Sequence, residues 1–467
     1  MSIRRLSPFS VCAGLMALAI ASPALADPVD DIVRDYMEAA HIPGAAVAVV
    51  RDGRIVKLEG YGQANLEWDA PVTADTPFQT ASASKVIAGV VLMRLVEQGA
   101  LSLDAPISTF FEGAPETWRA ITVRHLAGHT SGLAEARGLP NTATPAEVAA
   151  EAMKLPLAYP TGTESRYGLT DFVVMTAIME KASGLTYPEL VRREIVEPLG
   201  LTHTGFTMMR ETGPVRAAEI MPGRARVYGW RDGVQRDEEF IYPVHVYAAG
   251  GLYSSARDLA VLMAALESGR LLSPESFALL TTPATLNDGR DGAFGVGWTF
   301  DRYHGLATVG HTGGPALADV MHVPSEKLTV IALTNQRRFY PLLSHAIADL
   351  SLPAPPEASA IADARPALTV GLRRMLEAAV AGQVDPAAFA ADARDGVVGF
   401  YQDFGQAMLV AVGPLQAVDL MDERAGKVGE LRRRYRVRFE RRTLDFVVRT
   451  DAAGLFSEVR PLSGDDL

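Results

Sequence analysis

The sequence predicts an α+β protein: one antiparallel sheet built from both ends of residues 27–352, a helical subdomain inserted between those ends, and a small C-terminal α+β domain. Strand-length apolar runs around a tight-turn signal open the chain, helix-spaced apolar residues dominate its middle, and strand-like runs return from Thr308 onward. A Pro- and Ala-rich stretch then sets off a further group of helix and strand patterns. At 467 residues, 48% hydrophobic and 21% charged, the chain can fill more than one core.

The first 26 residues run Arg4 and Arg5, an apolar stretch from Val11 to Ile20, then Ala24-Leu25-Ala26, the three-part pattern of a secretory signal peptide. About ten apolar residues cannot span a hydrocarbon core that needs roughly 20, so the pattern predicts cleavage near Asp27 and a periplasmic or secreted mature chain. The paired arginines leave the general and twin-arginine export routes both open. No later stretch is long and apolar enough for a membrane span. Cys12, the only cysteine, lies in this leader, so the mature chain has no disulfide, thiol nucleophile or cysteine metal site. Losing Arg4 and Arg5 takes the formal charge from −11 to −13, which argues against nucleic acid as a partner.

After Pro43-Gly44, the runs Ala45 to Val50 and Arg54 to Leu58 flank Asp52-Gly53 and read as a β-hairpin. From Ala83 to Gln98 the residues Val86, Ile87, Val90, Val91, Leu95 and Val96 recur at helical spacing before Gly99. Few polar positions interrupt that helix, so it is expected to be buried. Further helices are read at Asp171 to Ala182 before Gly184, Tyr187 to Val196 stopped by Pro198, and Ala256 to Glu267 before Gly269. Thr308 to Gly313, Asp319 to Val323 and Leu328 to Leu333 read as strands, the last two joined by a turn at Pro324-Ser325-Glu326.

Residues 353–367, with Pro353, Pro355 and Pro356, read as a semi-rigid linker, and residues 368–467 as the C-terminal domain. That domain is expected to begin with a helix from Leu368 to Val380 and to end in strands near Ala407 to Val412, Arg434 to Phe439 and Leu444 to Arg449. Arg434, Arg436 and Arg438 alternate with Tyr435, Val437 and Phe439, which makes a solvated charged face or, less simply, a groove for an anion.

The string Pro77-Phe78-Gln79-Thr80-Ala81-Ser82-Ala83-Ser84-Lys85 carries the chemistry. Ser-x-x-Lys at a helix start puts hydroxyl and amine on one face, within reach of each other. The helix N-terminus favours an anion developing at the serine and disfavours a protonated lysine, so a neutral amine can take the serine proton. Alone, the motif also fits an N-capping serine beside a solvated lysine. No Gly-x-Ser-x-Gly elbow, His-Glu-x-x-His zinc helix or glycine-rich P-loop is present, and the nine histidines show no ligand spacing. Neither a metal nor a cofactor is implied.

The context resolves the ambiguity. Ile121-Thr122-Val123-Arg124-His125-Leu126 leads to His129-Thr130-Ser131-Gly132-Leu133, and Glu197-Pro198-Leu199-Gly200-Leu201 and Ala249-Gly250-Gly251-Leu252-Tyr253-Ser254 follow. In this order the chain resembles the serine β-lactamase and penicillin-binding-protein superfamily over roughly residues 40–350, in particular class C β-lactamases, D-alanyl-D-alanine carboxypeptidases and family VIII esterases. The resemblance implies a β-lactamase/transpeptidase-like fold, Ser82 as nucleophile, Lys85 as its base and Tyr167 as proton shuttle. It further implies that His311, Thr312, Gly313 and Gly314 line the site, with the backbone N–H groups of Ser82 and Gly314 as oxyanion hole and the Thr312 hydroxyl on the substrate.

Two departures bear on the substrate. The family's Tyr-x-Asn is Tyr167-Gly168-Leu169 here, and leucine offers no side-chain hydrogen bond to an amide. His311 stands where lysine is common, which leaves less fixed charge for a substrate carboxylate. Both favour a small-molecule ester. A D-Ala-D-Ala carboxypeptidase or other D-peptidase comes second, since the family's carboxypeptidases also use His-Thr-Gly, and a weak β-lactamase third. A penicillin-binding sensor or scaffold, with signalling through the C-terminal domain, is the non-enzyme alternative.

Overall fold

The structure, a computed structural model, describes residues 27–208, 218–231, 233–314, 317–337, 342–354, 359–426 and 429–462. The leader therefore lies outside the described residues.

Seven antiparallel strands form the main sheet, in the order Ala70–Pro71, Arg54–Asn65, Gly44–Arg51, Leu328–Thr334, Ala318–Val323, Leu306–Gly313, Thr299–Tyr303. Its centre is where the two ends of the domain meet, with Val47 opposite Ala332. The opening hairpin turns at Asp52 and Gly53, whose φ values of 50° and 70° are those a tight two-residue turn requires. Strand Gly44–Arg51 is apolar from Gly44 to Val50 because both its faces are covered. Ala46, Ala48 and Val50 enter the core shared with helix Ser84–Glu97, while Ala45, Val47 and Val49 enter a second core behind the sheet.

The helical region lies between the two halves of the sheet in sequence and packs on the first core. Helix Ser84–Glu97 is buried on nearly every side. A Cβ on Gly89 would sit 2.1 Å from the Val296 carbonyl, so only glycine lets that loop approach the helix. Leu169–Ser183 ends at Gly184 and Ala256–Glu267 is followed by Gly269, both glycines left-handed, as expected. Pro198 does not stop its helix. Tyr187–Val191 continues through a widened turn, Arg192–Val196, into Glu197–Leu199, and Gly200 at φ 66° ends it. The proline stands at the start of that last turn, where its missing N–H costs little.

The second core lies behind the sheet and joins helices Pro28–Ala39 and Leu342–Ala348 to the C-terminal part. There Pro366–Val380 and Gln406–Val412 are helices, and Leu415–Ala425, Leu431–Phe439, Thr443–Thr450 and Phe456–Pro461 form a four-stranded antiparallel sheet in that order. The strand expected near 407–412 is a helix: Met408, Leu409, Ala411 and Val412 are buried together, which is helical rather than alternating spacing. Of the expected linker, residues 355–358 lie outside the described residues, and Ile361 N–H donates to the Leu420 carbonyl at 2.8 Å, so its second half is tied to the C-terminal sheet.

The arginine-rich strand does alternate. Arg434 and Arg436 share Asp445, at 2.5 and 3.0 Å, and Arg438 pairs with Asp419, so each of the three is paired within the sheet. Arg433 points inward, 1% exposed, against Asp363, Glu423 and the Tyr435 hydroxyl. Among the described residues, no helix is long and apolar enough to cross a membrane.

Candidate active site

Ser82 stands in a single 3-10 turn, Ala81–Ala83, directly before helix Ser84–Glu97. The turn is clamped from behind. Phe78 and Gln79 pair with the short strand Leu252–Ser254, the Thr80 amide and hydroxyl both donate to the Leu252 carbonyl at 3.0 and 2.8 Å, and Ser84 Oγ donates to the Ala81 carbonyl at 2.6 Å. Ala81 is left-handed, φ 46°, a conformation that costs an L-residue roughly 1–2 kcal/mol and that these bonds sustain. On the other side lies strand Leu306–Gly313. A Cβ on Gly313 would fall 1.9 Å from the Thr80 carbonyl, so glycine is what allows this strand to lie against the Ser82 turn.

Lys85, in the first turn of the helix, is 1% exposed. Its Nζ lies 2.6 Å from the Tyr167 hydroxyl and 2.7 Å from the Ala249 carbonyl. The Tyr167 hydroxyl in turn lies 2.9 Å from Ser82 Oγ. The amine and the serine are thus joined through the tyrosine rather than by direct contact. Burial lowers the Lys85 amine to about 7 and pushes the Tyr167 phenol above its ordinary value. At neutral pH a large share of the amine is uncharged while the phenol keeps its proton.

His311 is buried, with Nδ1 2.6 Å from the Thr312 carbonyl and its ring 5.9 Å from that of Tyr167. Burial drives its imidazole down to about 3, so it lines the site as a neutral group. Strand alternation turns Thr312, which is exposed, to the opposite face. Gly314 follows the strand, and Leu317 just beyond it packs with Ala81, Val227 and Tyr242, which brings the strand's end close to the Ser82 turn.

Several residues that shape the site were visible in the sequence only as landmarks or not at all. Ala249, part of a glycine-rich landmark, contributes a backbone acceptor that no side-chain pattern reports. Glu135 accepts the amides of Leu169 and Thr170 at 2.7 and 3.3 Å and so caps helix Leu169–Ser183 from another loop. His129, Ser131 and Asp171 form a buried cluster beside Tyr167. Ser131 bonds Asp171 rather than the imidazole, so these three are not a second Ser-His-Asp triad.

A beta-lactamase family model matches residues 29–350. The chain is 27% identical over 270 residues to the putative penicillin-binding protein PbpX of Bacillus subtilis (strain 168), covering 57% of this chain and 64% of PbpX, just under two thirds of its length. It is 25% identical over 350 residues to a putative D-alanyl-D-alanine carboxypeptidase of Escherichia coli (strain K12), covering 63% of this chain and 78% of that protein. The octameric penicillin-binding protein homologue from Pyrococcus abyssi superposes with a TM-score of 0.60 at 21% identity, over 93% of this chain and 98% of that one. At that identity the likeness speaks for the fold, and it extends beyond residue 350. With the family model spanning most of the chain and a Ser-Tyr-Lys site at its centre, this protein belongs to the beta-lactamase family and carries a site of the serine hydrolase type.

Proposed function

We propose that the protein is an exported serine hydrolase that acts through an acyl-serine intermediate, with small acyl esters as its first substrate class. The observation that carries this reading is the chain Ser82 Oγ, Tyr167 Oη, Lys85 Nζ, at 2.9 and 2.6 Å, ending on an amine poised near neutrality. As Ser82 Oγ attacks the carbonyl carbon, its proton moves to Tyr167 Oη and the tyrosine proton moves to Lys85 Nζ. The same relay run backwards delivers a proton to the leaving alcohol. Water then attacks the acyl-serine, giving its proton to the relay, and Ser82 is released as the free hydroxyl. Because burial disfavours the phenolate, Tyr167 serves as a relay rather than as the resting base. The N–H groups of Ser82 and Gly314 take the oxyanion.

Two features support esters over amides. Leu169, 39% exposed at the start of its helix, presents an apolar side chain where an amide needs a partner. His311 carries no charge to hold a carboxylate. The His311-Thr312-Gly313 strand and the name of the Escherichia coli relative keep a D-Ala-D-Ala carboxypeptidase as the second reading. Export rests on the leader pattern of residues 1–26.

The test is intact mass after fluorophosphonate or, separately, penicillin, with turnover of p-nitrophenyl butyrate, a D-Ala-D-Ala peptide and a cephalosporin alongside. Fluorophosphonate labelling is expected in wild type and absent in Ser82→Ala, with kcat/KM for the ester at least about tenfold above the others. A preference for the peptide overturns the ester assignment, and a persistent penicillin adduct without turnover favours a sensor.

Leu169→Asn separates the substrate classes further. The added amide is expected to raise peptide or cephalosporin turnover relative to ester by about tenfold, the worth of one net hydrogen bond of about 1.4 kcal/mol. An unchanged ratio would show that position 169 does not select between ester and amide.

A further inference from the structure

We propose that His129 is the positioning residue of the site: it holds Tyr167 in line between Ser82 and Lys85 by gripping the peptide groups on both sides of the tyrosine. The inference rests on the reading of Tyr167 as the proton relay. Arg166 N–H, just before the tyrosine, donates to the His129 carbonyl at 2.9 Å, and Gly168 N–H, just after it, donates to His129 Nδ1 at 3.3 Å. The imidazole also packs against the Tyr167 ring, with centroids 4.8 Å apart, and is wedged by Phe172 and Phe294 at 5.0 and 4.7 Å. A relay whose two hydrogen bonds must align has little tolerance for drift, and a displacement of about 1 Å can cost about 100-fold in rate.

The imidazole is itself held. His129 is fully buried and left-handed, φ 54°, and Asp171 Oδ2 lies 3.0 Å from its Nδ1. Nδ1 cannot both donate to Asp171 and accept from Gly168. Complete burial pushes the Asp171 carboxyl well above its ordinary value, which favours its protonated form. With Asp171 protonated, Nδ1 accepts from both sides through one shared lone pair, Gly168 N–H being the longer partner at 3.3 Å, and Ser131 donates to Asp171 Oδ1. The carbonyl and Nδ1 of His129 are both engaged, while Nε2 is buried without a hydrogen-bond partner. Among the described residues no hydrogen bond runs from this cluster to Ser82, whereas two run to the peptide groups flanking Tyr167.

The experiment compares full-length wild type, His129→Phe, His129→Asn and Tyr167→Phe by the rate of fluorophosphonate labelling and by kcat and KM for p-nitrophenyl butyrate, with melting temperature as the check on folding. Phenylalanine keeps the ring packing but removes the acceptor. Asparagine places an acceptor near the position of Nδ1 and tolerates a left-handed backbone. His129→Phe is expected to lower kcat and labelling by about 10- to 100-fold with KM little changed, and His129→Asn to recover most of the loss. Wild-type rates in His129→Phe, or equal losses in the two variants, overturn the proposal. If His129→Phe does not fold, Asp171→Leu carries the test, and labelling at the wild-type rate in that variant overturns it equally. Tyr167→Phe keeps the two failures apart: wild-type labelling there removes the relay reading itself, whereas a dead Tyr167→Phe beside an unaffected His129→Phe removes only the positioning role.

Discussion

Lys85→Met is expected to lower kcat/KM by about 10²- to 10⁴-fold, the usual worth of a positioned proton acceptor, and at the same time to raise the melting temperature at pH 7. The two effects share one cause. The amine is 1% exposed, and its folded pKa of about 7 lies below the unfolded value of 10.5. Between those values the unfolded chain holds a proton that the folded chain has lost. The resulting cost to folding is therefore fully present below pH 7 and fades as pH rises towards 10.5. At about 1.36 kcal/mol per pKa unit this amounts to about 4–5 kcal/mol at its largest, part of which methionine returns by leaving the Ala249 carbonyl without its donor. The stability gap between variant and wild type should accordingly shrink between pH 7 and pH 10. Wild-type turnover should rise through pH 7 and level off as the amine becomes fully neutral. A variant that loses activity but melts below wild type at pH 7 would show that the buried amine is not stored as strain.

Ser82 and Lys85 were legible because a short motif stood among ordered landmarks, and Tyr167 because Tyr167-Gly168-Leu169 sits where that order places the family's Tyr-x-Asn. The manner of their connection was not legible. Three-residue spacing on a helix suggests direct contact, whereas the amine turns to Tyr167 and to a backbone carbonyl 164 positions away, and a carbonyl leaves no trace in a residue pattern. His129 was visible as a landmark but not as a grip on Tyr167, since that depends on a contact across 39 positions. In the main sheet, the strands followed from short apolar runs and the opening turn from Asp52-Gly53. Ala407 to Val412 was misread because six apolar residues are too short a run for period alone to tell strand from helix. Its partners, the helices on the second core, decided the matter.

That second core makes removal of the C-terminal part the change with the largest expected effect on stability. A chain ending at Leu352 strips cover from Val33, Tyr36, Val47, Val330 and Leu343, which share one apolar cluster with Leu372, Met408 and Phe446. Helix Pro28–Ala39 loses its neighbour Gln406–Val412. Buried polar pairs are broken too, because Arg442, nearly enclosed, bonds the Tyr303 hydroxyl at 2.6 Å and Asp349 at 3.1 Å across the same boundary. Re-exposing a buried Val, Leu or Phe side chain costs about 1.5–3 kcal/mol, so even partial exposure of several exceeds much of the 5–15 kcal/mol that holds a typical domain folded. The truncated chain is expected to be insoluble or to melt at least about 10 °C below the full chain, with labelling at Ser82 falling in step with the folded fraction. Retention of both melting temperature and labelling would instead make residues 368–467 an appended module, free to evolve a ligand of its own. The continuity of the core behind the sheet argues for the first outcome: the C-terminal domain supports the face of the sheet opposite to the one on which Ser82, Tyr167 and Lys85 are assembled.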